Sequence, residues 1–135
     1  MKIKNYIRDK SLYLKKNSIN NPILEIRLFI KEIMKINIKE QIIDDHKEIK
    51  KKDLYQLNTM IERRAKREPF ARIVGKKYFR NIELFLNKNT LIPRDDSEAI
   101  LDAYFSLNKS MFHKNILDLG TGSGALLLSF LLELP

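Results

Sequence analysis

A glycine-rich segment near the C-terminus constrains the fold of this 135-residue chain more than any other feature. It follows the short apolar run Asn115–Leu119 and precedes the almost wholly apolar run Ala125–Glu133, which predicts a strand, a tight loop and a helix. Glycine adopts backbone torsions closed to other residues and lets a ligand approach the main chain. The following helix N-terminus adds free N–H groups and positive dipole potential. The candidate binding residues of this loop are Asp118, Gly120, Thr121, Gly122, Ser123 and Gly124.

Three interpretations of the loop are open. Read as Gly120-x-Gly122-x-x-Ala125, it matches the dinucleotide fingerprint, in which a pyrophosphate lies on the helix N-terminus. Read together with Asp118, it is similar to the first motif of class I methyltransferases, which bind S-adenosylmethionine (SAM). A carboxylate favours the sulfonium and ammonium of SAM and would repel a pyrophosphate, so SAM is the preferred interpretation. The third interpretation is a tight turn that binds no ligand.

Composition narrows the class of protein. Hydrophobic residues make up 44% and charged residues 32% of the chain, which is typical of globular proteins. The absence of cysteine excludes disulfides and cysteine-ligated metal sites. No apolar run reaches the ~18 residues of a membrane span, and the N-terminal residues lack the apolar stretch of a secretory signal. We therefore expect a cytoplasmic protein without membrane contact, and we expect it to be a monomer.

The hydrophobic period changes near residue 70, and this divides the chain into parts. Residues 1–70 predict a bundle of four short amphipathic helices, residues 71–90 a β-hairpin, and residues 91–135 the start of a second domain. The predicted helices cover Met1–Lys16, a segment that starts at Pro22 after the N-cap Asn21, Ile38–Ile49, and a segment that opens at Asp53 with a capping box to Gln56. The predicted buried stripes are Ile23, Ile26, Ile30 and Ile33 in the second helix and Leu54, Leu57 and Ile61 in the fourth.

Positive charge is concentrated in the first half of the chain. Residues 1–70 carry 18 basic and 10 acidic side chains, whereas residues 71–135 carry 8 and 7. This asymmetry would suit an acidic partner such as RNA or a ribosome-associated protein. The alternative is a compositional bias of an AT-rich genome, which would also explain the excess of Lys, Ile and Asn.

A longer series of motifs resembles the HemK/PrmC family, the release factor glutamine N5-methyltransferases. The matching segments are Asn21–Arg27, Arg64, Glu68–Gly75, Phe79, Leu91–Glu98 and Ile116–Ala125, in this order and with appropriate gaps. A generic methyltransferase would share only the glycine motif. One position departs from the family pattern, because Asp95 stands where the family usually has proline. Asp95 loosens a stiff loop and adds a negative charge beside the expected cofactor edge.

The resemblance implies a two-part α+β enzyme. A helical N-terminal domain would help to recognise a peptide chain release factor, and a hairpin would lead to a Rossmann-like class I methyltransferase domain. That domain would transfer the methyl of SAM to the side-chain amide nitrogen of the glutamine in the factor's Gly-Gly-Gln loop. The resemblance also places Pro93 and Arg94 at the cofactor, beside the glycine loop.

The family's Asn-Pro-Pro-Tyr motif, which holds the substrate amide, does not occur in this sequence, so we assign no catalytic residue. The acidic residue that would hold the ribose is also expected beyond Pro135. We therefore expect an N-terminal piece of a longer enzyme, or the product of a truncated gene, that alone neither binds SAM tightly nor methylates a release factor. The alternative function is a non-catalytic, basic helical module that docks on the translation apparatus.

Other candidate residues have plainer interpretations. Arg94 could face the cofactor or pair with a neighbouring acid, and the sequence does not decide between them. The acids Asp95, Asp96 and Glu98 are spaced like helix-capping residues rather than metal ligands. His46 and His113 lie far apart without a partner at ligand spacing, so no metal site is predicted. Residues 50–52 and the basic cluster 63–67 are interpreted as solvated faces, with contact to RNA as the alternative.

Overall fold

The computed structural model describes residues 1–107 and 115–134, and the protein is an α+β protein with a helical N-terminal part. The chain divides into two compact units, Met1–Val74 and Gly75–Pro135, which we call the N-unit and the C-unit. The helices of the N-unit are α1 (Ile3–Lys16), α2 (Pro22–Met34), α3 (Ile38–Ile43), α4 (Lys51–Ala65) and α5 (Phe70–Val74). The C-unit contains β1 (Lys76–Phe79), β2 (Ile82–Phe85), α6 (Glu98–Leu107) and α7 (Ala125–Glu133), with a 3₁₀ turn at Asp95–Ser97.

The core of the N-unit lies between α1, α2 and α4. Helix α2 starts at Pro22 as predicted, and its Ile26 and Ile30 are fully buried. The predicted stripe was wrong at Ile23, which is exposed, while Phe29 is fully buried and stacks on Phe70 with ring centroids 4.6 Å apart. Helix α2 is oriented about its axis so that Phe29 rather than Ile23 faces the core, because burial of the larger aromatic side chain removes more apolar surface from water. Helix α4 buries Leu57 and Ile61 and packs Leu54 against the same core, as predicted.

The predicted helix over residues 38–49 was wrong in its second half, because α3 ends at Ile43. The following segment instead supplies carbonyl groups to the first turn of α1. The N–H of Ile3 donates to the carbonyl of Lys47 at 3.0 Å, and that of Lys4 donates to the carbonyl of Asp45 at 2.9 Å. The N-cap residue of α1 makes no side-chain capping bond, so these carbonyls satisfy N–H groups that would otherwise lack an acceptor.

The predicted capping box at Asp53 was also wrong. Helix α4 begins two residues earlier, at Lys51, and Asp53 lies in its first turn, where its carboxylate favours the helix dipole. A capping box does occur at the start of α3, where the Asn37 side chain accepts from the Glu40 N–H at 2.8 Å and the Glu40 carboxylate accepts from the Asn37 N–H at 2.9 Å. The capping box therefore occurs at the start of α3 and not at the start of α4.

The C-unit opens with a hairpin as predicted, but the predicted range 71–90 was wrong at residues 71–74, which belong to helix α5. Strands β1 and β2 are antiparallel, with Phe79 opposite Ile82, and Arg80 takes a positive φ of 48° in the turn. A small core forms where Phe79, Leu84, Leu101 and Ala125 are buried together. Helix α7 has the predicted bounds, and the predicted helical start at Asp95 is a 3₁₀ turn that continues into α6.

The predicted strand over residues 115–119 was wrong. Residues 115–118 are irregular, Leu119 and Gly120 form a turn, and Leu117 and Leu119 are 82% and 84% exposed. A strand needs a hydrogen-bonded neighbour, and in the part of the chain that the structure describes β1 and β2 form a two-stranded sheet with each other.

Among residues 1–107 and 115–134, no helix is both long and apolar enough to cross a membrane.

Candidate functional site

The glycine loop connects irregular chain to the N-terminus of α7. Gly120, Gly122 and Gly124 all have positive φ, at 79°, 58° and 77°. A Cβ added at Gly120 would meet no atom within 4 Å, so the backbone torsion alone, and not packing, requires glycine there. The loop is closed internally by a hydrogen bond of 2.8 Å from the Gly124 N–H to the Thr121 carbonyl. The main chain is therefore accessible at Gly120, while the hydrogen bond between Gly124 and Thr121 constrains the conformation of the loop.

Asp118 lies at the start of this loop and carries the most informative polar atom of the site. Its Oδ2 is buried but has no hydrogen-bond partner among the described residues. Its backbone carbonyl accepts a bond of 3.3 Å from the Thr121 hydroxyl. A buried carboxylate oxygen without a partner costs free energy, and it would be stabilised by a cation or a hydrogen-bond donor placed against it.

A hollow of about 140 Å³ lies against the glycine loop. Its lining residues are Phe79, Leu91, Pro93, Ser97, Gly120, Thr121, Gly122, Ser123, Ala125 and Leu126. The volume is below the roughly 300–1,000 Å³ of complete small-molecule pockets, so these residues form one wall of a site rather than an enclosing cavity. Five predicted site residues, namely Pro93, Gly120, Thr121, Gly122 and Ser123, line this hollow together, whereas the predicted residues Asp118 and Gly124 do not line it.

The hollow also contains residues that the sequence did not single out as site residues. Leu91 and Ser97 flank Pro93 on the same segment, which crosses beside the glycine loop. Phe79 reaches the hollow from β1, where it is fully buried. Strand alternation could have placed Phe79 on the inner face of the hairpin, but the sequence alone does not tell which face the loop covers.

Arg94 does not line the hollow, and its side chain is exposed. Among the described residues it makes no ion pair, so the predicted alternative of a pair with Asp95, Asp96 or Glu98 was wrong. Asp95 pairs with Lys77 instead, at 2.8 Å, and Glu98 accepts the Arg80 N–H at 3.0 Å. The prediction that Arg94 faces a cofactor stays a prediction.

Arg80 ties the hairpin to both C-unit helices. Its guanidinium donates to the Glu133 carboxylate of α7, with one bond of 2.7 Å, and also to the Asp102 carboxylate of α6. The hydrogen bonds to Glu133, followed by those to Asp102, raise the pKa of Arg80 above its usual value. These bonds fix the C-terminal end of the helix whose N-terminus carries the glycine loop.

The remaining candidates have structural partners or lie elsewhere. His46 lies 3.4 Å from Asp45 on the surface, and His113 lies outside the described residues. In the basic cluster 63–67, Arg63 pairs with Glu68, and Arg64 pairs with Glu25 at 2.6 Å. The described ranges contain no group of three acidic or histidine side chains placed to hold a metal ion.

Comparisons with known proteins agree with the division of the chain. Residues 6–75 match the family model described as the PrmC N-terminal domain. A protein of Caulobacter vibrioides named release factor glutamine methyltransferase is 37% identical over 122 residues, which cover 90% of this chain and 42% of that protein. A protein of Rickettsia prowazekii named bifunctional methyltransferase is 34% identical in an alignment of 151 positions, which covers 98% of this chain and 29% of that protein.

A third relative also covers nearly the whole chain. The release factor glutamine methyltransferase of Buchnera aphidicola subsp. Baizongia pistaciae is 32% identical over 133 residues, covering 98% of this chain and 48% of that protein. The chain thus spans less than half the length of these curated relatives.

Proposed function

This chain belongs to the HemK/PrmC family, and on that premise we propose that its glycine loop binds SAM for methyl transfer to a release factor. The acceptor is the side-chain amide nitrogen of the glutamine in the factor's Gly-Gly-Gln loop. In this proposal residues 1–70 recognise the factor, residues 71–90, which contain the hairpin of β1 and β2, form the linker, and residues 91–135 begin a Rossmann-like methyltransferase domain.

One observation carries the cofactor assignment, namely the buried Oδ2 of Asp118 without a partner among the described residues. The SAM molecule supplies an electrophilic methyl group on a sulfonium and also carries an ammonium. A carboxylate beside the loop stabilises such a cation, whereas it would repel the pyrophosphate of a dinucleotide. The open side of Gly120 leaves room for a ligand to lie against the main chain. These features fit SAM better than a dinucleotide.

The other assigned residues act by shape and position. Gly120, Thr121, Gly122, Ser123 and Gly124 present their backbone to the cofactor, and the first N–H groups of α7 lie directly beyond them. Pro93 lies on the facing wall, and Arg94, whose exposed side chain does not line the hollow, is assigned to the cofactor by the family resemblance alone. Because an amide nitrogen is a poor nucleophile, the rate depends on holding it in line with the methyl group, and a rigid wall on the donor side serves that purpose.

The cofactor assignment is tested by titrating ¹⁵N-labelled chain with SAM and following amide shifts by NMR, which detects weak binding. We expect shifts concentrated at residues 118–126, and we expect Asp118→Asn to weaken them. Asp44→Asn is the matched control, because it makes the same change on an exposed loop of the N-unit. Saturable shifts with NADH and none with SAM would reject the proposal in favour of a dinucleotide.

The substrate assignment is tested in cells. Deletion of the gene that encodes this sequence should remove one methyl group from the Gly-Gly-Gln peptide of a release factor, as read by mass spectrometry. An unchanged peptide mass, with methylation present in both strains, would reject the substrate.

A further inference from the structure

Lys77 joins the hairpin to the segment that forms one wall of the hollow. It lies on β1, and its side chain is mostly buried, with 21% exposed. Its ammonium donates a bond of 2.6 Å to the backbone carbonyl of Pro93 and lies 2.8 Å from the Asp95 carboxylate. One cation thus contacts two points of the Leu91–Ser97 segment, on either side of Arg94.

Among the described residues no other side chain donates a hydrogen bond to this segment, although Glu98, which directly follows it, accepts the Arg80 N–H. The segment's own local bond runs from the Ser97 N–H to the Arg94 carbonyl at 3.0 Å, which shapes the turn but does not anchor it. Leu91 lies close to the loop, since its Cβ would be 3.9 Å from a Cβ placed on Gly122. A shift of the segment therefore changes the width of the hollow directly.

The two contacts of Lys77 differ in strength. Asp95 is 83% exposed, and an ion pair with an exposed partner is weak because water and salt screen it. The bond to the Pro93 carbonyl is charge-assisted and is made by a mostly buried ammonium, so it is the stronger of the two. The carbonyl bond is the main anchor, and the Asp95 pair adds to it.

We propose that Lys77 is a positioning residue that holds the Leu91–Ser97 wall against the glycine loop, and that cofactor affinity depends on it without contact between Lys77 and the cofactor. The second part rests on the proposed function, whereas the first stands on the geometry of the C-unit alone. In this chain, the turn at Asp95 is held from outside by a lysine.

The first arm of the experiment measures amide hydrogen exchange by NMR on the full chain. Lys77→Met should raise exchange several-fold at Ser97 and Glu98, whose N–H groups donate to the Arg94 and Asp95 carbonyls, and Asp95→Asn should raise it less. Lys76→Met is the matched control, because it removes the same charge from the neighbouring residue, whose ammonium pairs with Glu83 across the hairpin at 3.0 Å. Exchange that is equal in the Lys77 and Lys76 variants would overturn the proposal.

The second arm tests rescue by backbone stiffening. Asp95 opens the 3₁₀ turn, and Arg94 before it is extended, with φ −90° and ψ 143°, which is the conformation that a residue before proline requires. Asp95→Pro should therefore fix the segment without Lys77, so that adding Lys77→Met changes exchange little in that background. A purely global loss of stability would not be rescued in this way, and full additivity of the two substitutions would contradict the proposal.

The third arm measures the dissociation constant of SAM by the same NMR titration. Lys77→Met should weaken binding about tenfold, Asp95→Asn about twofold, and Lys77→Arg should retain most of the affinity. If the unaltered chain shows no response to SAM, the proposed function fails and the exchange arms still decide on the anchor. If SAM binds equally to the Lys77→Met and Lys76→Met variants, the dependence on Lys77 is refuted while the proposed function stands.

Discussion

The two units of the chain bury their apolar side chains to different extents. In the N-unit, residues from α1, α2, α4 and α5 share one buried cluster, and fully buried residues include Tyr6, Phe29 and Leu57. The C-unit has a smaller cluster around Phe79 and Leu101, while large apolar side chains of the glycine loop and α7 are exposed, among them Leu119 and Leu132. Apolar residues thus stabilise the N-unit through packing.

Hydrogen bonds and ion pairs between elements therefore contribute more to holding the C-unit together than they do in the N-unit. Arg80 and Lys77 connect the hairpin to helices and to the segment beside the loop, as described above. The N-unit also has such pairs, for example Arg64 with Glu25, but they lie around an apolar core that is already closed. Substitutions of buried apolar side chains should therefore destabilise the N-unit most, and substitutions of residues in ion pairs should destabilise the C-unit most.

The largest effect is expected in the core of the N-unit. Phe29→Ala removes a fully buried ring that stacks on Phe70, and it should lower the free energy of unfolding by about 3–5 kcal/mol. Phe85→Ala makes the same change at a side chain that is 79% exposed, and it should have little effect. Urea unfolding followed by circular dichroism measures both, and equal losses would erase the distinction between core and surface.

The next effect concerns the ion pairs of the C-unit. Arg80→Met removes the bonds to Glu133 and Asp102 and should destabilise the C-unit by about 1–2 kcal/mol. Hydrogen exchange of α6 and α7 amides, which reports on this unit alone, is the measurement. Arg8→Met, at an exposed pair with Asp9 in the N-unit, is the control and should change its own unit by far less. A negligible change in α7 would show that apolar contacts suffice there.

A smaller effect involves the buried phenol of the N-unit. Burial raises the pKa of Tyr6 above its usual value, and its hydroxyl donates to Asn58 at 3.3 Å. Because the folded-state pKa is raised, this contribution to stability is fully present below the unfolded pKa of about 10 and is lost as pH rises above it. Spectrophotometric titrations of the unaltered chain and of Tyr6→Phe should differ by one phenol that ionises above the usual range. Tyr6→Phe should reduce the alkaline loss of stability, and an identical pH profile for the variant would contradict this.

The smallest effect is expected at the end of α4. The hydrogen bond from Arg63 lowers the pKa of Glu68 below its usual value. A lowered folded-state pKa gives a stabilisation that is present above the unfolded pKa of about 4.3 and is lost as pH falls through the folded value. Because both side chains are partly exposed, Glu68→Gln should cost no more than about 1 kcal/mol at neutral pH. The cost should vanish in strong acid, and a cost that persists there would point to packing instead.

Local sequence signals predicted elements whose causes are local. Pro22 predicted the start of α2, and the alternation of Ile82 with Glu83 predicted the hairpin, because helix starts and strand periods depend on near neighbours. Asn21 occupies the N-cap position as predicted but makes no side-chain capping bond. The glycine loop was recognised for the same reason, and its residues Gly120 to Ser123 do line one hollow with Pro93. The burial of Phe29 was not predicted, because the sequence of α2 is compatible with more than one orientation of the helix about its axis, each of which buries a different apolar stripe.

What the sequence determined by itself is the family, the order of helices and hairpin, and the position of the glycine loop, since these follow from motifs and periods along the chain. The tertiary structure decided which end of a helix is capped by a distant carbonyl, as at Ile3, and that Lys77 rather than Arg94 pairs with Asp95. It also left residues 115–119 without a strand partner among the described residues. The physical reason is that pairing, burial and ion pairs depend on residues distant in the sequence.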